Sequence, residues 1–289
     1  MIEDARDNRT NGNFLGKKVM GAIMTLFPDR DSLRRQFMSA KPFPYIKIDS
    51  FLDPTFAKEV AAAYPPFDEA LKSGKSFKAV NERKKVQISK AAIFAPPIGR
   101  LNDMLAAPDF MDDLSFVTGI PKLLADEELN GGGIHMTGPG GRLDVHVDFN
   151  FLEERSLHRR LNLLLYLNND WPEAWGGQIQ LWDQNVKHCI EEFAPKFNRC
   201  VIFETNEISY HGVVPISPNA TAPRISFATY YYTKEAPEHW TGHSHSTIFK
   251  ARPNEVVRKM VLMPGAQIRE QAISGARRLK RLLAGNREP

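Results

Sequence analysis

The chain has few of the features that mark secreted or membrane-spanning proteins. Its 289 residues include two cysteines, too few for a disulfide framework. No apolar run approaches the roughly 20 residues that a membrane-spanning helix needs. The first residues are polar and acidic, unlike a secretory leader. We therefore expect a cytoplasmic protein, and the hydrophobic content of 42% is typical of a chain with a sizeable buried core.

The positive charge is concentrated near one end of the chain. Residues 250–289 carry ten Lys or Arg and three Glu, whereas the formal net charge of the whole chain is +4. The remainder is slightly acidic, which argues against nucleic acid as a partner. From Pro264 on, apolar residues at helical spacing predict a basic amphipathic helix. We expect it to dock on its own domain or on a second subunit, as in a homodimer, rather than on a membrane surface.

The hydrophobic period changes near residue 130. Before it, helices are predicted within 14–40, from Pro54 after the N-cap Asp53, and in pieces over 98–126, with a short strand near 44–52. After it, the predicted strands are 134–137, 143–147, 160–167, 178–182, 199–204, 209–214 and 224–232. Many strands without intervening helices favour a mainly β (α+β) fold with a jelly-roll core over a doubly wound α/β sheet.

Six glycines lie between residues 131 and 141, and they raise the question of a phosphate-binding loop. Such a loop leads into a helix whose first amides face the phosphate. Here the glycines lead into LDVHVDFNF, which alternates as a strand does, and Pro139 removes one amide donor. We therefore expect the glycines to form tight turns between strands.

A histidine and an aspartate follow the glycines with one residue between them. Successive strand side chains alternate faces, so His146 and Asp148 point the same way. One more ligand, for which His211 is the candidate, would complete a facial set that suits Fe(II) used with O₂. Arg224, 13 residues after His211, could pair bidentately with a carboxylate. Taken alone, each of these residues could equally have a structural role.

Four motifs together resemble one known family. They are the His146-x-Asp148 pair, RRLNLLLYLNNDWPEAWGGQIQLWD over 159–183, NRCVIFETNEISYHGVV over 198–214, and Arg224. Their order resembles the Fe(II)/2-oxoglutarate-dependent dioxygenase superfamily, and within it the prolyl 4-hydroxylase-like branch. The resemblance covers 42–235, and PFPYIKIDSFLDPTFAKEV at its start is also similar to that family.

The resemblance implies a double-stranded β-helix core and an iron centre. It implies that Fe(II) is held by His146, Asp148 and His211, that 2-oxoglutarate and O₂ are cosubstrates, and that ascorbate serves as a reductant. It also implies that Arg224 binds the distal carboxylate of 2-oxoglutarate. Period 2 places Asn162 and Tyr166 on one strand face. If that face is the interior, Tyr166 can bond the same carboxylate and Asn162 can reach the cofactor.

The resemblance also implies the reaction type, but not the substrate. Halogenating relatives lack the ligand carboxylate, so Asp148 favours hydroxylation of an unactivated C–H bond. The expected substrate is a small molecule, such as an amino acid, a sugar derivative or a natural-product intermediate. A peptidyl or protein prolyl-type hydroxylase is the alternative. An alternative of another class is a non-redox cupin-like isomerase or sugar-binding module, which has no need of the dicarboxylate clamp.

Further polar residues are candidates for contact with substrate. These are His135, Asn150, Arg142 and Arg160, each of which could equally bond a turn or a strand edge. A second histidine group, His239, His243 and His245, lacks the pattern of a zinc site. We expect a loop there, either covering the substrate mouth or solvated.

The motifs also suggest how the chain is divided. We expect an N-terminal, partly helical extension over 1–41 and a dioxygenase domain over 42–235, with its jelly-roll core from about 131. Residues 236–289 form a C-terminal loop and the basic helix.

Overall fold

The computed structural model describes residues 29–238 and 240–263. The predicted helix from Pro264 and the first part of the predicted 14–40 helix lie outside the described residues, as does His239. Within the described ranges, no helix has both the length and the apolar character needed to cross a membrane.

Five α-helices occur in the described part of the chain. They are α1 (Arg30–Ser39), α2 (Pro54–Ala62), α3 (Phe67–Ser73), α4 (Pro96–Leu105) and α5 (Pro108–Thr118). The predicted start of α2 is confirmed, because the Asp53 carboxylate accepts hydrogen bonds from the Thr55 and Phe56 amides. Helix α5 ends at Gly119, whose φ of 71° suits a residue without a Cβ atom.

Thirteen strands make one curled antiparallel sheet in the described residues. They are β1 (Tyr45–Ile48), β2 (Lys75–Lys78), β3 (Glu82–Ile88), β4 (Leu124–Ala125), β5 (Gly133–Val147), β6 (Phe151–Leu152), β7 (Leu157–Tyr166), β8 (Ile179–Trp182), β9 (Cys189–Phe193), β10 (Arg199–Glu204), β11 (His211–Val213), β12 (Arg224–Thr233) and β13 (Ile248–Lys250). The neighbour order is β1-β10-β7-β12-β5-β11-β8-β9, with β3 and β13 also pairing with β5.

Strand β5 connects the two halves of the curl. Residues 133–137 pair with β12, whereas residues 143–147 pair with β11 and β13. The glycines were expected to form turns between strands, and Gly131 and Gly132 do lie in the turn that precedes β5. The turn expected at residues 138–141 was wrong, because β5 is continuous there. On β3, Lys85 pairs with Thr137 and Arg83 with Arg142, so residues 138–141 form a bulge. A bulge bends a strand, which lets β5 leave one half of the curl and join the other.

The two faces of the sheet carry different cores. Leu161, Leu163 and Leu165 of β7 pack against the helices, whereas Tyr166 lies on the inner face against Ile179. The inner core joins β7 and β10 to β8, which are distant in the strand order, so the sheet closes on itself. The predicted mainly β architecture with a double-stranded β-helix core is confirmed.

Some elements differ from the sequence prediction. Part of the helix expected over 98–126 is strand β4, which pairs with β12. The hairpin of β2 and β3 has no counterpart in the predicted elements. Helix α1 contributes Phe37 to the main core, and β13 extends the sheet beside β5. The domain boundaries at 41 and 235 stay predictions.

Candidate metal centre

Two histidines and one aspartate meet where β5 lies beside β11. His146 and His211 are cross-strand partners, and Asp148 immediately follows the end of β5. Nε2 of His146 lies 3.6 Å from Oδ1 of Asp148, and Nε2 of His211 lies 3.5 Å from Oδ2. One ligand atom from each residue falls within 4.8 Å of the others. The structure therefore brings together the three residues that were predicted as metal ligands.

Both histidines present the same nitrogen to the centre. Nδ1 of His146 donates to the carbonyl of Asp144 at 2.8 Å, and Nδ1 of His211 donates to the carbonyl of Ser209 at 2.9 Å. A carbonyl only accepts hydrogen bonds, so Nδ1 carries the proton and the Nε2 lone pair stays free. Burial, together with the nearby His146, lowers the pKa of His211 to about 3, so this imidazole is neutral at pH 7.

The donor set fits a divalent metal. Ligands at about 2.1 Å that meet near right angles lie roughly 3 Å from one another, slightly closer than the atoms here. Small side-chain movements would therefore complete the coordination. The triad opens into a cavity of about 390 Å³, so positions opposite the three ligands remain accessible. Two imidazoles and one carboxylate with open positions suit Fe(II) in oxygen chemistry.

A buried arginine and an asparagine hold the aspartate. Oδ2 of Asp148 accepts from Nη2 of Arg159 at 3.0 Å and from Nδ2 of Asn162 at 2.7 Å. Arg159 also donates to Oδ1 of Asn162, and its guanidinium lies 3.6 Å from the centroid of the Tyr230 ring. Burial alone would raise the pKa of Asp148, but Arg159 and the two histidines together hold it well below its ordinary value. The carboxylate is thus ionised, with Oδ1 left for a metal.

We expect Asn162→Ala to weaken metal binding. The substitution removes one of the two hydrogen bonds that fix the Asp148 carboxylate, and loss of such an outer partner typically costs about 10–100-fold in metal affinity. Calorimetric titration of Mn(II) into the protein measures the effect. Asn219→Ala, at an exposed position, is the control. Equal Mn(II) affinity of Asn162→Ala and wild type would show that the hydrogen bond does not orient the ligand.

Arg224 and Tyr166 form a buried pair that does not itself line the triad cavity, although Tyr166 packs with Ile179, which does. Nε of Arg224 donates to the Gly177 carbonyl at 2.7 Å, and its guanidinium carbon lies 4.7 Å from the centroid of the Tyr166 ring. Burial raises the pKa of Tyr166 to about 12, so the phenol keeps its proton. Within the described residues, the Tyr166 hydroxyl has no hydrogen-bond partner. A carboxylate here would accept from both side chains, which fits the predicted clamp.

Tyr166→Phe tests that fit. A buried hydroxyl without a partner costs free energy, so we expect the ligand-free variant to be at least as stable as wild type. We also expect its affinity for 2-oxoglutarate, with Mn(II) bound, to fall about tenfold, as for loss of one hydrogen bond to a charged group. Thermal denaturation and calorimetry measure the two effects.

Tyr64→Phe is a matched control, because the Tyr64 hydroxyl is also buried without a partner among the described residues. Tyr64 packs in the helical core rather than near the triad. This variant should change stability in the same sense and leave 2-oxoglutarate affinity unaltered. If Tyr166→Phe binds 2-oxoglutarate as wild type does, the clamp assignment to Tyr166 is wrong.

Of the four residues predicted to contact substrate, one lines the cavity and three do not. His135 lines the cavity, and its Nε2 lies 2.8 Å from the Gly131 carbonyl. Burial lowers its pKa well below the usual value, so it is neutral. Asn150, in contrast, bonds Glu207 and the backbone of His243 and His245. It therefore anchors the loop after β12 and does not line the cavity.

Arg142 and Arg160 also lie outside the cavity, and a β-bulge explains why each side chain faces away from it. On β11, His211 pairs with His146 and Val213 with Leu143, so side-chain alternation shifts between them. Arg142 consequently faces away and forms ion pairs with the buried Asp144 and with Glu255.

A second bulge displaces Arg160 from the cavity. Tyr231 pairs with Leu161 and Tyr232 with Arg159, so Arg160 is the extra residue on β7. Its Nη1 donates to Thr233, away from the triad. Arg159 faces the cavity instead, although strict alternation of side chains along β7 would place Arg160 there. Asn162 does line the cavity, where its Nδ2 donates to Asp148 and its Oδ1 accepts from Arg159. Its contact with a cofactor stays a prediction.

The segment after residue 243 covers part of the cavity. Ser246, Thr247 and Phe249 line it, and the Phe249 ring centroid lies 5.3 Å from that of His146. His245 bonds Glu207 through Nε2, so it does not extend the triad. This position agrees with a loop over the substrate mouth. The sequence alone identified none of these three lining residues, because no metal-binding or strand pattern marked them.

A curled β-sheet that carries two histidines and an aspartate beside an open cavity defines a non-haem metal centre of the facial-triad class. The comparisons with known proteins agree. A family model described as the 2OG-Fe(II) oxygenase superfamily matches residues 132–232. This segment contains the triad and Arg224, and through it the chain is similar to the 2OG-Fe(II) oxygenase superfamily. Enzymes of this family need Fe(II), 2-oxoglutarate and O₂.

One individual relative matches only a short segment of the chain, and the structural relatives match most of it at low sequence identity. The prolyl 3-hydroxylase OGFOD1 of Mus musculus is 30% identical over 78 residues, which is 26% of this chain and 14% of that protein. The chain thus matches only a small part of that relative's length. The epimerase SnoN from nogalamycin biosynthesis is 13% identical, with a TM-score of 0.50 over 78% of this chain and 95% of SnoN. That similarity shows the fold.

A prolyl hydroxylase from Trichoplax adhaerens is 16% identical, with a TM-score of 0.49 over 79% of this chain and 94% of that one. Its structure holds a hypoxia inducible factor oxygen degradation domain peptide fragment.

Proposed function

We propose that the protein is an Fe(II)- and 2-oxoglutarate-dependent dioxygenase that hydroxylates an unactivated C–H bond. The observation that carries this proposal is the ligand triad, open on one side to a cavity, with a buried arginine and an unpartnered tyrosine hydroxyl near it. A cupin-like isomerase or sugar-binding module would explain the triad but not the Arg224 and Tyr166 pair. The supported chemistry is therefore oxidative.

When bound, Fe(II) and 2-oxoglutarate supply the oxidising chemistry, in which O₂ gives one oxygen atom to succinate, formed with loss of CO₂, and one to the substrate. The chain's own residues position these reactants. His146, Asp148 and His211 would hold the metal from one side. Arg224 and Tyr166 would hold the distal carboxylate of 2-oxoglutarate, and thereby orient its keto acid end.

Part of the cavity wall is apolar. Leu164 and Ile179 line it, and the latter packs with Tyr166 in the inner core. These residues limit the access of water on their side of the cavity, whereas polar and charged residues line the remainder. Arg159, 2% exposed at its side chain, keeps the Asp148 carboxylate in one orientation.

Two substrate classes accord with this chemistry. A free small molecule is the class that the sequence analysis favours. The local similarity to a prolyl 3-hydroxylase supports the second candidate, a residue within a polypeptide. The presence of Asp148 as a full ligand supports hydroxylation rather than halogenation in either case. Cytoplasmic localisation and a homodimer through the C-terminal helix stay proposals.

Turnover tests the proposal directly. The Fe(II)-loaded protein is incubated with 2-oxoglutarate and ascorbate in air, with candidate amino acids, sugar derivatives and peptides in turn. We expect succinate formation that a true substrate stimulates, and a product heavier by one oxygen atom. If 2-oxoglutarate is not consumed with any candidate, and does not bind to the metal-loaded protein, the proposed activity is wrong.

A further inference from the structure

A second cavity lies against the triad cavity. It is open, has a volume of about 860 Å³, and lies between α3, the β2–β3 hairpin and the bulge of β5. The proposed function does not account for it. Its lining residues are Phe67, Leu71, Ser76, Phe77, Lys78, Arg83, Lys84, Lys85, Gly138 and Pro139. We call this cavity the hairpin groove.

The hairpin groove carries uncompensated positive charge. Lys78 and Arg83 are cross-strand partners, both exposed, and neither forms an ion pair within the described ranges. Nζ of Lys84 donates to the Pro139 carbonyl at 2.9 Å, an acceptor that leaves its charge in place. Of the four cations only Lys85 is paired, with Glu82 at 2.8 Å. Among the described residues that line the groove there is no acid.

The floor of the groove is apolar. Phe67, Leu71 and Phe77 lie along it. The Phe77 ring is flanked by two ammonium groups, since Nζ of Lys75 lies 4.9 Å and Nζ of Lys85 lies 5.0 Å from its centroid. An apolar floor beneath a basic rim favours a ligand that combines apolar groups with several negative charges.

The groove and the triad cavity share a boundary. Phe77 and Lys85 line both of them, and Lys75 lines the triad cavity. A ligand that spans both cavities therefore contacts the basic hairpin at one end and the metal centre at the other. The triad cavity, at about 390 Å³, has room for 2-oxoglutarate and little more than one side chain. The rest of a larger substrate must lie outside it.

We propose that the hairpin groove binds the acidic flank of a polypeptide substrate whose target residue enters the triad cavity. This inference rests on the proposed function and deepens it by naming the substrate class. The unpaired cations lie together, because Lys78 pairs across the hairpin with Arg83 and Lys84 follows Arg83. They line only the groove, whereas Phe77 and Lys85 also line the triad cavity, so an acidic segment bound there would flank a residue in the triad cavity.

Selection from a random 12-residue peptide display library tests the inference without presuming a sequence. We expect peptides selected on the wild-type protein, loaded with Mn(II) and 2-oxoglutarate, to be enriched in Asp and Glu. Fluorescence anisotropy of a selected labelled peptide should show about tenfold weaker binding when its acids are replaced by Asn and Gln. Lys78→Glu combined with Arg83→Glu should cause a similar loss.

Lys58→Glu is the matched control, because Lys58 is an exposed lysine on α2, which does not line the groove. It should leave peptide binding unchanged, which separates a groove effect from general attraction to a basic protein. ATP serves as a polyanionic small-molecule competitor. The inference is overturned if selected peptides show no acidic bias, if the hairpin variant binds them as wild type does, or if ATP outcompetes them at equal concentration.

Peptide binding at the groove and oxidation at the triad are measured separately. Binding that depends on the hairpin, in a protein that does not consume 2-oxoglutarate, would refute the proposed function and not the groove. Succinate formation with small molecules alone, combined with the absence of acidic bias, would refute the groove and not the proposed function.

Discussion

His146→Ala is expected to abolish 2-oxoglutarate turnover. The imidazole supplies one of three predicted ligands, and its Nε2 has no other role among the contacts described. Loss of a ligand should exceed the about 10–100-fold effect typical of losing an outer hydrogen-bond partner. Succinate release measures turnover, and Mn(II) titration measures whether the metal is lost. His211→Ala should behave in the same way.

The control for this prediction is another histidine. His188 is exposed and pairs with Asp183 on the surface, so His188→Ala should retain wild-type turnover. Alanine at Asp148 is a less clean choice, because it would leave Arg159 buried without its charged partner. Succinate release at the wild-type rate from His146→Ala or His211→Ala would refute the triad as the metal site.

Arg224→Met should weaken 2-oxoglutarate binding about 100-fold, the effect of losing two hydrogen bonds between charged groups. Methionine keeps much of the side-chain length and removes the charge, so the buried position stays filled. Binding of Mn(II) itself should change little, since Arg224 does not contact the triad. Calorimetry with Mn(II)-loaded protein measures both affinities.

Two further variants sharpen this prediction. Arg224→Lys keeps the charge without the planar fork, and its affinity should fall between those of wild type and Arg224→Met. Arg160→Met removes a half-buried arginine that lies outside the cavity, and should bind 2-oxoglutarate normally. An unchanged affinity in Arg224→Met would mean that the distal carboxylate is held elsewhere.

The strands were the most predictable part of the fold. Strand β10 was predicted with its observed bounds, 199–204, because apolar residues fill both of its buried faces. Strand β5 was predicted as two strands, because its glycines suggested turns. Glycine permits both a turn and a wide bulge, and only the pairing of β3 across the interruption distinguishes them.

The β2–β3 hairpin could not be predicted from local pattern. Its sequence, KSFKAVNERKKVQI, is rich in charge, and charged residues are depleted in ordinary strands. It forms because β3 pairs with β5. The two residues of every pair lie more than 40 positions apart in the sequence. The proposed substrate groove depends on this hairpin, which is why the sequence analysis gave no sign of it.

The three ligands of the metal centre could be predicted from the sequence, but the residues around them were harder to predict. His146 lies near the end of β5 and Asp148 immediately follows it, so both still face the centre, and His211 pairs with His146. The residues that hold the Asp148 carboxylate were harder to predict, because a bulge inverts the side-chain alternation of β7. Strict period 2 selects Arg160, whereas the structure turns Arg159 toward Asp148. Bulges leave no dependable mark in a single sequence.

The substrate is where sequence and structure lead to different expectations. Without a separate recognition module in the sequence, a small molecule was the simpler expectation. The hairpin groove now supports an acidic polypeptide, because it places a basic rim and an apolar floor beside the triad cavity. Loops and hairpins at the rim of a conserved core are the usual carriers of such specificity.

Calorimetric titration of 2-oxoglutarate into the protein, with and without Mn(II), tests the central claim most directly. Tyr166 of the clamp packs with Ile179, which lines the triad cavity, so we predict saturable 1:1 binding that requires the metal and is lost in His146→Ala. The cupin-like alternative predicts metal binding without any effect of 2-oxoglutarate. Failure of 2-oxoglutarate to bind the Mn(II)-loaded protein, or equal binding without metal, would contradict the assignment of this centre as a 2-oxoglutarate-dependent dioxygenase site.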